Sequence, residues 1–198
     1  MIYLTSDLHF NHTNILTYCA DTRPFSSIEE MNETLINNWN SVVSAEDTVI
    51  VVGDMVMGKH TDAYDLLRRL NGKIIIVRGN HDTNPRLEIY KELGFEVKDI
   101  HYFQYKSLWF ICCHFPIMSE EWMNMVIGNH AESRNIILCY GHVHGNAPQG
   151  YYEGTYHIGV DTNNLTPVSV EDIWSSSLGS EFETAHTHTN FFTKKPLI

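Results

Sequence analysis

Seven side chains able to ligate a metal ion recur in one context along this chain, each just beyond a run of apolar residues. They are Asp7 and His9 in Asp7-Leu8-His9, Asp54 in Gly53-Asp54, Asn80 in Gly79-Asn80-His81-Asp82, His114, and the pair His142 and His144 in Gly141-His142-Val143-His144. Taken singly, an Asp-x-His or a Gly-Asp after a strand is also an ordinary turn closed by a side-chain hydrogen bond. Gly-Asn-His-Asp is more specific, because it places two ionisable groups where a core has no use for them. Gly-His-x-His is more specific still, since alternate residues of an extended chain point the same way. Together the five clusters predict a site for two metal ions. Imidazole and carboxylate suit Mn²⁺, Fe²⁺ or Zn²⁺, and the absence of cysteine from the set argues against a thiolate-type structural zinc site. Two aspartates set against two divalent ions leave a charge of about +2, which matches a hydroxide plus an anionic phosphate ester.

Residues so far apart meet only if strands carry them to one edge, and α/β proteins build sites beyond the carboxyl ends of their strands. Five runs rich in Ile, Val and aromatics predict buried strands at Ile2–Ser6, Thr48–Val52, Lys73–Val77, Leu108–Cys113 and Asn135–Tyr140. Looser alternation predicts two more around Val97–Tyr105 and Tyr152–Val160. Helical spacing runs from Ser27 through Met31, Leu35 and Trp39, with Ser27 and Glu30 as a capping box. A second helix is predicted from Thr61 to Leu70, and a third from an Asn84 cap and first-turn Pro85 to a stop at Gly94. Alternating strands and helices imply βαβ units in an α/β fold, and the strand-rich later part implies a second sheet packed on the first.

The chain of 198 residues carries 43% hydrophobic and 19% charged residues, ordinary for a globular protein. Residues 1–175 are expected to form a single domain, with 176–198 a polar terminal tail. His186 and His188 in that tail read as solvated rather than as ligands. A net charge of −11, from 24 acidic against 13 basic residues, disfavours long nucleic acid as a partner. No apolar run approaches the roughly 18 residues of a membrane span, and Ile2-Tyr3-Leu4 reads as a strand rather than as the start of a signal peptide. Cys19, Cys112, Cys113 and Cys139 show no CxxC spacing, and three lie in strongly apolar runs. Free thiols and a cytoplasmic location are expected.

The order Asp-x-His, Gly-Asp, Gly-Asn-His-Asp, His, Gly-His-x-His resembles the calcineurin-like metallophosphoesterases, over Asp7 to His144. The resemblance implies a two-sheet β-sandwich flanked by helices, with the site at one edge. It implies that Asp7, His9, Asp54 and His144 hold one metal, and that Asp54 bridges to a second completed by Asn80, His114 and His142. His81 matches the family's leaving-group acid or substrate contact. The chain departs from the family's protein phosphatases after Gly-Asp: Met55-Val56-Met57-Gly58 carries neither the Asp that orients the acid histidine nor the Arg that grips phosphate. It is therefore not expected to be a phosphoprotein phosphatase, and whether the adjacent Asp82 orients His81 is left open.

The resulting expectation is a hydrolase of a small phosphodiester such as a nucleotide or cyclic nucleotide. A hydroxide bridging two divalent ions would attack phosphorus while His81 protonates the departing alkoxide. Mn²⁺ is the first choice of ion, with Fe²⁺, Zn²⁺ or Ni²⁺ as alternatives. The rival readings are a phosphomonoesterase, a nuclease on short single strands, and a non-catalytic scaffold of the same fold. His12 is expected either to contact substrate or to cap the following helix. Arg78 would either meet phosphate or form a structural ion pair, and Trp122 would either wall the pocket or pack.

Overall fold

Alternation of side chains along the central strands divides the interior into two cores. Val49 and Val51 of β2 (Thr48–Val52) and Ile74 and Ile76 of β3 (Lys73–Val77) face a layer of helices. There they pack with Met31, Leu35 and Trp39 of α2 (Ile28–Val42), Ala63 and Leu67 of α3 (His60–Leu67), and Leu87, Ile89 and Tyr90 of α4 (Asn84–Glu92). The intervening Ile50, Val52, Ile75 and Val77 face a second sheet, meeting Phe110, Cys112, Ile137 and Cys139. Both faces of these strands are covered, as parallel sheets require. Each buried Val or Ile contributes about 1.5–3 kcal/mol relative to exposure.

The computed structural model describes residues 1–58, 60–116, 136–152 and 154–178. Trp122, His186 and His188 lie outside them. The first sheet has the order β10-β1-β2-β3-β4: β1 (Ile2–Thr5), β2, β3 and β4 (Glu96–Lys98) run parallel, and β10 (Val168–Ser169) closes against β1 antiparallel. The second has the order β5-β6-β7-β9-β8, from β5 (His101–Tyr105), β6 (Leu108–Cys112), β7 (Ile136–Tyr140), β8 (Tyr151–Tyr152) and β9 (Thr155–His157). Beyond the ladders a parallel bridge joins Ser6 to Gly159, so the two sheets touch at one corner. The chain thus forms two mixed five-stranded sheets flanked by helices, and all four cysteines are free. No helix among the described residues is long and apolar enough to cross a membrane.

Several details differ from the expectations. The single strand around Val97–Tyr105 is two, β4 and β5, in different sheets; alternation continues through the crossing at Asp99-Ile100 with no Gly or Pro to mark it. The strand around Tyr152–Val160 is a hairpin turning at Gly154, whose φ of +80° suits glycine. The capping box is shifted: Ser27 Oγ accepts from Glu30 N at 3.1 Å, but the Glu30 carboxylate takes the N–H of Ser26 at 2.9 Å. The α4 cap is Thr83 rather than Asn84. At the other end, α5 (Val170–Leu178) runs across residue 175, with Ser177 buried.

Candidate metal centre

Past the ends of β1 and β2 the two chains leave the ladder but stay side by side. Asp7 N donates to Gly53 O at 3.1 Å and His9 N to Asp54 O at 3.0 Å. In that stretch the backbone turns left-handed at Asp7 (φ 58°), His9 (φ 50°) and Asp54 (φ 56°), and again at His142 (φ 74°) and His144 (φ 52°). Asp and His tolerate this region better than most residues. Five such positions among seven expected ligands still represent local strain of the kind that collects at functional sites. Its effect is to aim Asp7 and His9 into the site while Leu8 between them is buried in the helix-side core. Two glycines permit the close approach. A Cβ on Gly141 would overlap Ser6 Oγ and Asp7 Oδ2, and one on Gly79 would lie 2.7 Å from Asp54 N.

All seven expected ligands converge, in two groups that share Asp54. His9 Nε2 stands 3.9 Å from Asp7 Oδ1 and 3.8 Å from Asp54 Oδ2. The His144 ring lies 5.1 Å from that of His9. In the other group His114 Nε2 is 3.3 Å from the same Asp54 Oδ2 and 2.8 Å from Asn80 Oδ1, which His142 Nδ1 approaches at 2.9 Å. Asp7, His9 and His144, and likewise Asp7, Asp54 and His114, offer donor atoms all within 4.8 Å of one another. His142 and His144 do not share a target as extended alternation would have it. The left-handed turns send one ring to Asn80 and the other toward His9.

The fit to a cation rests on His9. Its ring is 1% exposed, and neither nitrogen has a hydrogen-bond partner. Buried polar atoms are nearly always satisfied, and an imidazole lone pair aimed between two carboxylates is what a divalent ion would satisfy.

The charges are arranged to match. Burial works against the Asp54 carboxylate, but its hydrogen bond and attraction to His114 prevail and hold its pKa at about 2. His114 is correspondingly held up at about 9, its bond to Asp54 outweighing the burial that opposes its charge. Burial keeps His9 neutral, with its pKa well below the ordinary value, and lowers that of His142, helped by the nearby His114. Burial raises the carboxyl of Asp7. A cation here would therefore meet neutral imidazoles at His9 and His142 and would have to displace a proton from His114.

Two residues that no sequence motif marked support the first group. Asp161 is buried and accepts from His144 Nδ1 at 2.8 Å, so the other ring nitrogen of His144 faces the ligands. It also accepts from Thr22 Oγ1 at 2.7 Å and from Arg23 Nε and Nη2 at 2.9 and 2.8 Å. Burial opposes the charge on Asp161, but Arg23 and then His144 hold its carboxyl far below the usual range. Arg23, itself fully buried, spends its other protons on the backbone carbonyls of Leu8 (3.0 Å) and Asp7. One salt bridge thus fixes both the loop carrying Asp7 and His9 and the ring of His144. Asp161 follows the strand expected around Tyr152–Val160, but Val160 separates it from Gly159, so the Gly-Asp pair that marks Asp54 is absent. Cys19 lies within reach of His144 and Asp161, but Arg23 already neutralises that carboxylate.

His81 stands at the mouth, its ring 5.5 Å from that of His9. Its main chain is held from both sides: its N–H donates to Asp54 Oδ1 at 2.8 Å and its carbonyl accepts from Arg86 Nη1. Asp82 instead shapes the turn, accepting from Asp54 N (2.9 Å), Gly79 N (2.8 Å) and Tyr90 Oη (2.8 Å). His12 caps no helix with its side chain. The cap of α1 (Ile15–Tyr18) is Asn14, and the His12 ring lies 5.2 Å from His9 and 6.4 Å from His81. Arg78 is not brought to the cluster; it is exposed, with Nη2 directed to Asn84 Oδ1 at 3.4 Å.

Comparison with known proteins places the chain in a family. A sequence profile of the calcineurin-like phosphoesterases matches residues 1–195. An uncharacterized protein of Methanocaldococcus jannaschii is 37% identical over 182 residues, covering 86% of this chain and 87% of its own. The gene 66 protein of Mycobacterium phage L5 is 33% identical over 85 residues, which cover 40% of this chain and 39% of the phage protein. Among solved structures, a protein of unknown function from Aquifex aeolicus superposes with a TM-score of 0.68 at 27% identity, covering 88% of this chain and 98% of that one. With the family profile matching nearly its whole length, the chain belongs to the calcineurin-like phosphoesterase family.

Proposed function

We propose that this protein is a dinuclear metal-dependent phosphodiesterase acting on a small diester, with Mn²⁺ its first-choice ion. The observation that carries this reading is Asp54 Oδ2, placed 3.8 Å from His9 Nε2 and 3.3 Å from His114 Nε2 between the two donor groups. Asp7, His9, Asp54 and His144 would hold one ion, and Asp54, Asn80, His114 and His142 the other. Bound there, two divalent ions supply a water acidified to a nucleophile and a positive field for the phosphate oxygens.

The protein's own groups do the rest. Asp161 and Arg23 keep His144 and the Asp7–His9 loop in place, and neutral His9 and His142 present lone pairs rather than protons. His81 carries the proton for the departing alkoxide, a contribution of about 10²–10⁴-fold. Asp54 and Arg86 pin its main chain so that the ring stays at the rim. His12, beside it, would contact the substrate. A diester is preferred because the segment after Asp54 runs into the core, with Met55 and Val56 buried, and Arg78 turns to Asn84. Neither place supplies the fork that a monoester dianion calls for. One observation favours a second reading: the Arg86 guanidinium reaches the His81 carbonyl, close enough to the mouth to serve a phosphomonoester.

The test is hydrolysis of bis(p-nitrophenyl) phosphate and of p-nitrophenyl phosphate by purified protein supplied with Mn²⁺, with and without chelator. Faster, chelator-sensitive turnover of the diester supports the proposal. Faster turnover of the monoester would replace it with the second reading, and no turnover with any divalent ion would overturn both.

A further inference from the structure

Few large apolar side chains among the described residues are exposed, and Tyr18 is the most exposed of them at 71%. A single exposed aromatic is unremarkable on its own; the position of this one is not. Tyr18 ends α1, whose Ile15 and Leu16 pack into the helix-side core, as does the following Cys19. The tyrosine ring instead lies 6.2 Å from the ring of His12. His12 stands 6.4 Å from His81 and 5.2 Å from His9. Tyr18, His12 and His81 therefore form a row from the solvent to the histidine assigned to the leaving group. His12 Nδ1, in the middle of the row, is buried and has no partner.

We propose that the arm of the diester departing over His81 carries a nucleobase, and that this base stacks on Tyr18. The inference rests on the diesterase reading and names its substrate class. An aromatic face with a polar edge holds a base without choosing among bases, because every base offers a π-face. His12 lies where the sugar or phosphate of that arm must pass, and its half-buried imidazole supplies the hydrogen-bonding group that a bare aromatic shelf lacks. A partner with one or two phosphates fits a protein of net charge −11, whereas a long polyanion requires clustered Lys and Arg. Phe115, a second exposed ring at the site among the described residues, packs 4.9 Å from His142, so the two rings serve different arms.

The experiment compares Mn²⁺-loaded protein on a dinucleoside monophosphate with two counterparts, each lacking the base of one residue. These keep the same scissile bond and leaving-group chemistry. Analysis of the products identifies which residue departs without phosphate. Loss of the base on that residue should lower kcat/KM by about 5- to 100-fold in the native protein. In Tyr18→Ala and in Tyr18→Leu, which keeps the apolar bulk but not the π-face, the ratio should fall close to one. Tyr18→Phe should keep most of it. A native ratio near one, or a ratio unchanged in Tyr18→Ala, would overturn the proposal. So would cleavage of bis(p-nitrophenyl) phosphate without cleavage of the dinucleotide, an outcome that leaves the diesterase reading standing. Failure to cleave any diester would instead remove that reading, and this one with it.

Discussion

His144 Nδ1 lies 2.8 Å from Asp161 Oδ2, and the same carboxylate is gripped by Arg23 Nη2 at 2.8 Å. A carboxylate behind a ligating histidine sets its tautomer and raises its basicity, and removing one typically costs 10–100-fold in metal affinity. Asp161→Ala should weaken Mn²⁺ binding by about that factor. It should also destabilise the metal-free fold by about 3–5 kcal/mol, because it strands the buried Arg23 charge. Calorimetric titration and urea unfolding read the two effects separately, and unchanged affinity would show that His144 needs no orienting partner.

Asp54 and His81 should separate binding from rate. Asp54→Asn is expected to reduce occupancy of both ions, measured by elemental analysis after dialysis. His81→Ala should retain them and lose about 10²–10⁴-fold in turnover. Loss of metal from the His81 variant would assign that ring to the wrong role.

Metal uptake should release a proton at neutral pH. His114 is raised to about 9, so in the metal-free protein its extra stabilisation is complete below its ordinary value of 6.5 and is lost as pH rises through about 9. Asp54 is depressed to about 2, so its share is present above its ordinary 3.8 and lost as pH falls through about 2. Between 6.5 and 9 a cation must evict the His114 proton. Affinity should therefore climb with pH across that window and level off above it. Adding Mn²⁺ to weakly buffered protein under a pH electrode checks this directly.

Gly141→Ala should damage the fold itself. Its new Cβ would collide with Ser6 Oγ and Asp7 Oδ2, a forced fit of the kind that costs about 1–3 kcal/mol. Chemical denaturation without metal measures it, and stability equal to that of the native protein would mean that the corner is looser than the contacts suggest.

The strands were legible because Val, Ile and aromatic runs are local patterns, and the residues that converge beyond them were legible because each comes where such a run stops. What escaped was either partnership or direction. Arg23 lies in a loop and Asp161 in a single 3-10 turn (Val160–Thr162), and nothing local announces that residues 138 positions apart share one ion pair. The divergence of His142 and His144 depends on two left-handed backbone turns that alternation alone does not imply. The break between β4 and β5 was invisible because apolar alternation runs through it. Asp82, set beside His81 in sequence, proved to be occupied with the backbone of Asp54 and Gly79.

The corner where Ser6 meets Gly159 is tied by main-chain bonding, Val160 N to Ser6 O at 3.1 Å, with the His142 N–H donating to Asp7 Oδ2 at 3.0 Å alongside. Both donors in these ties are backbone N–H groups. Exchanging the side chain of any candidate ligand other than Asp7 therefore leaves the seam between the sheets stitched, so loss of function in such variants need not mean loss of architecture.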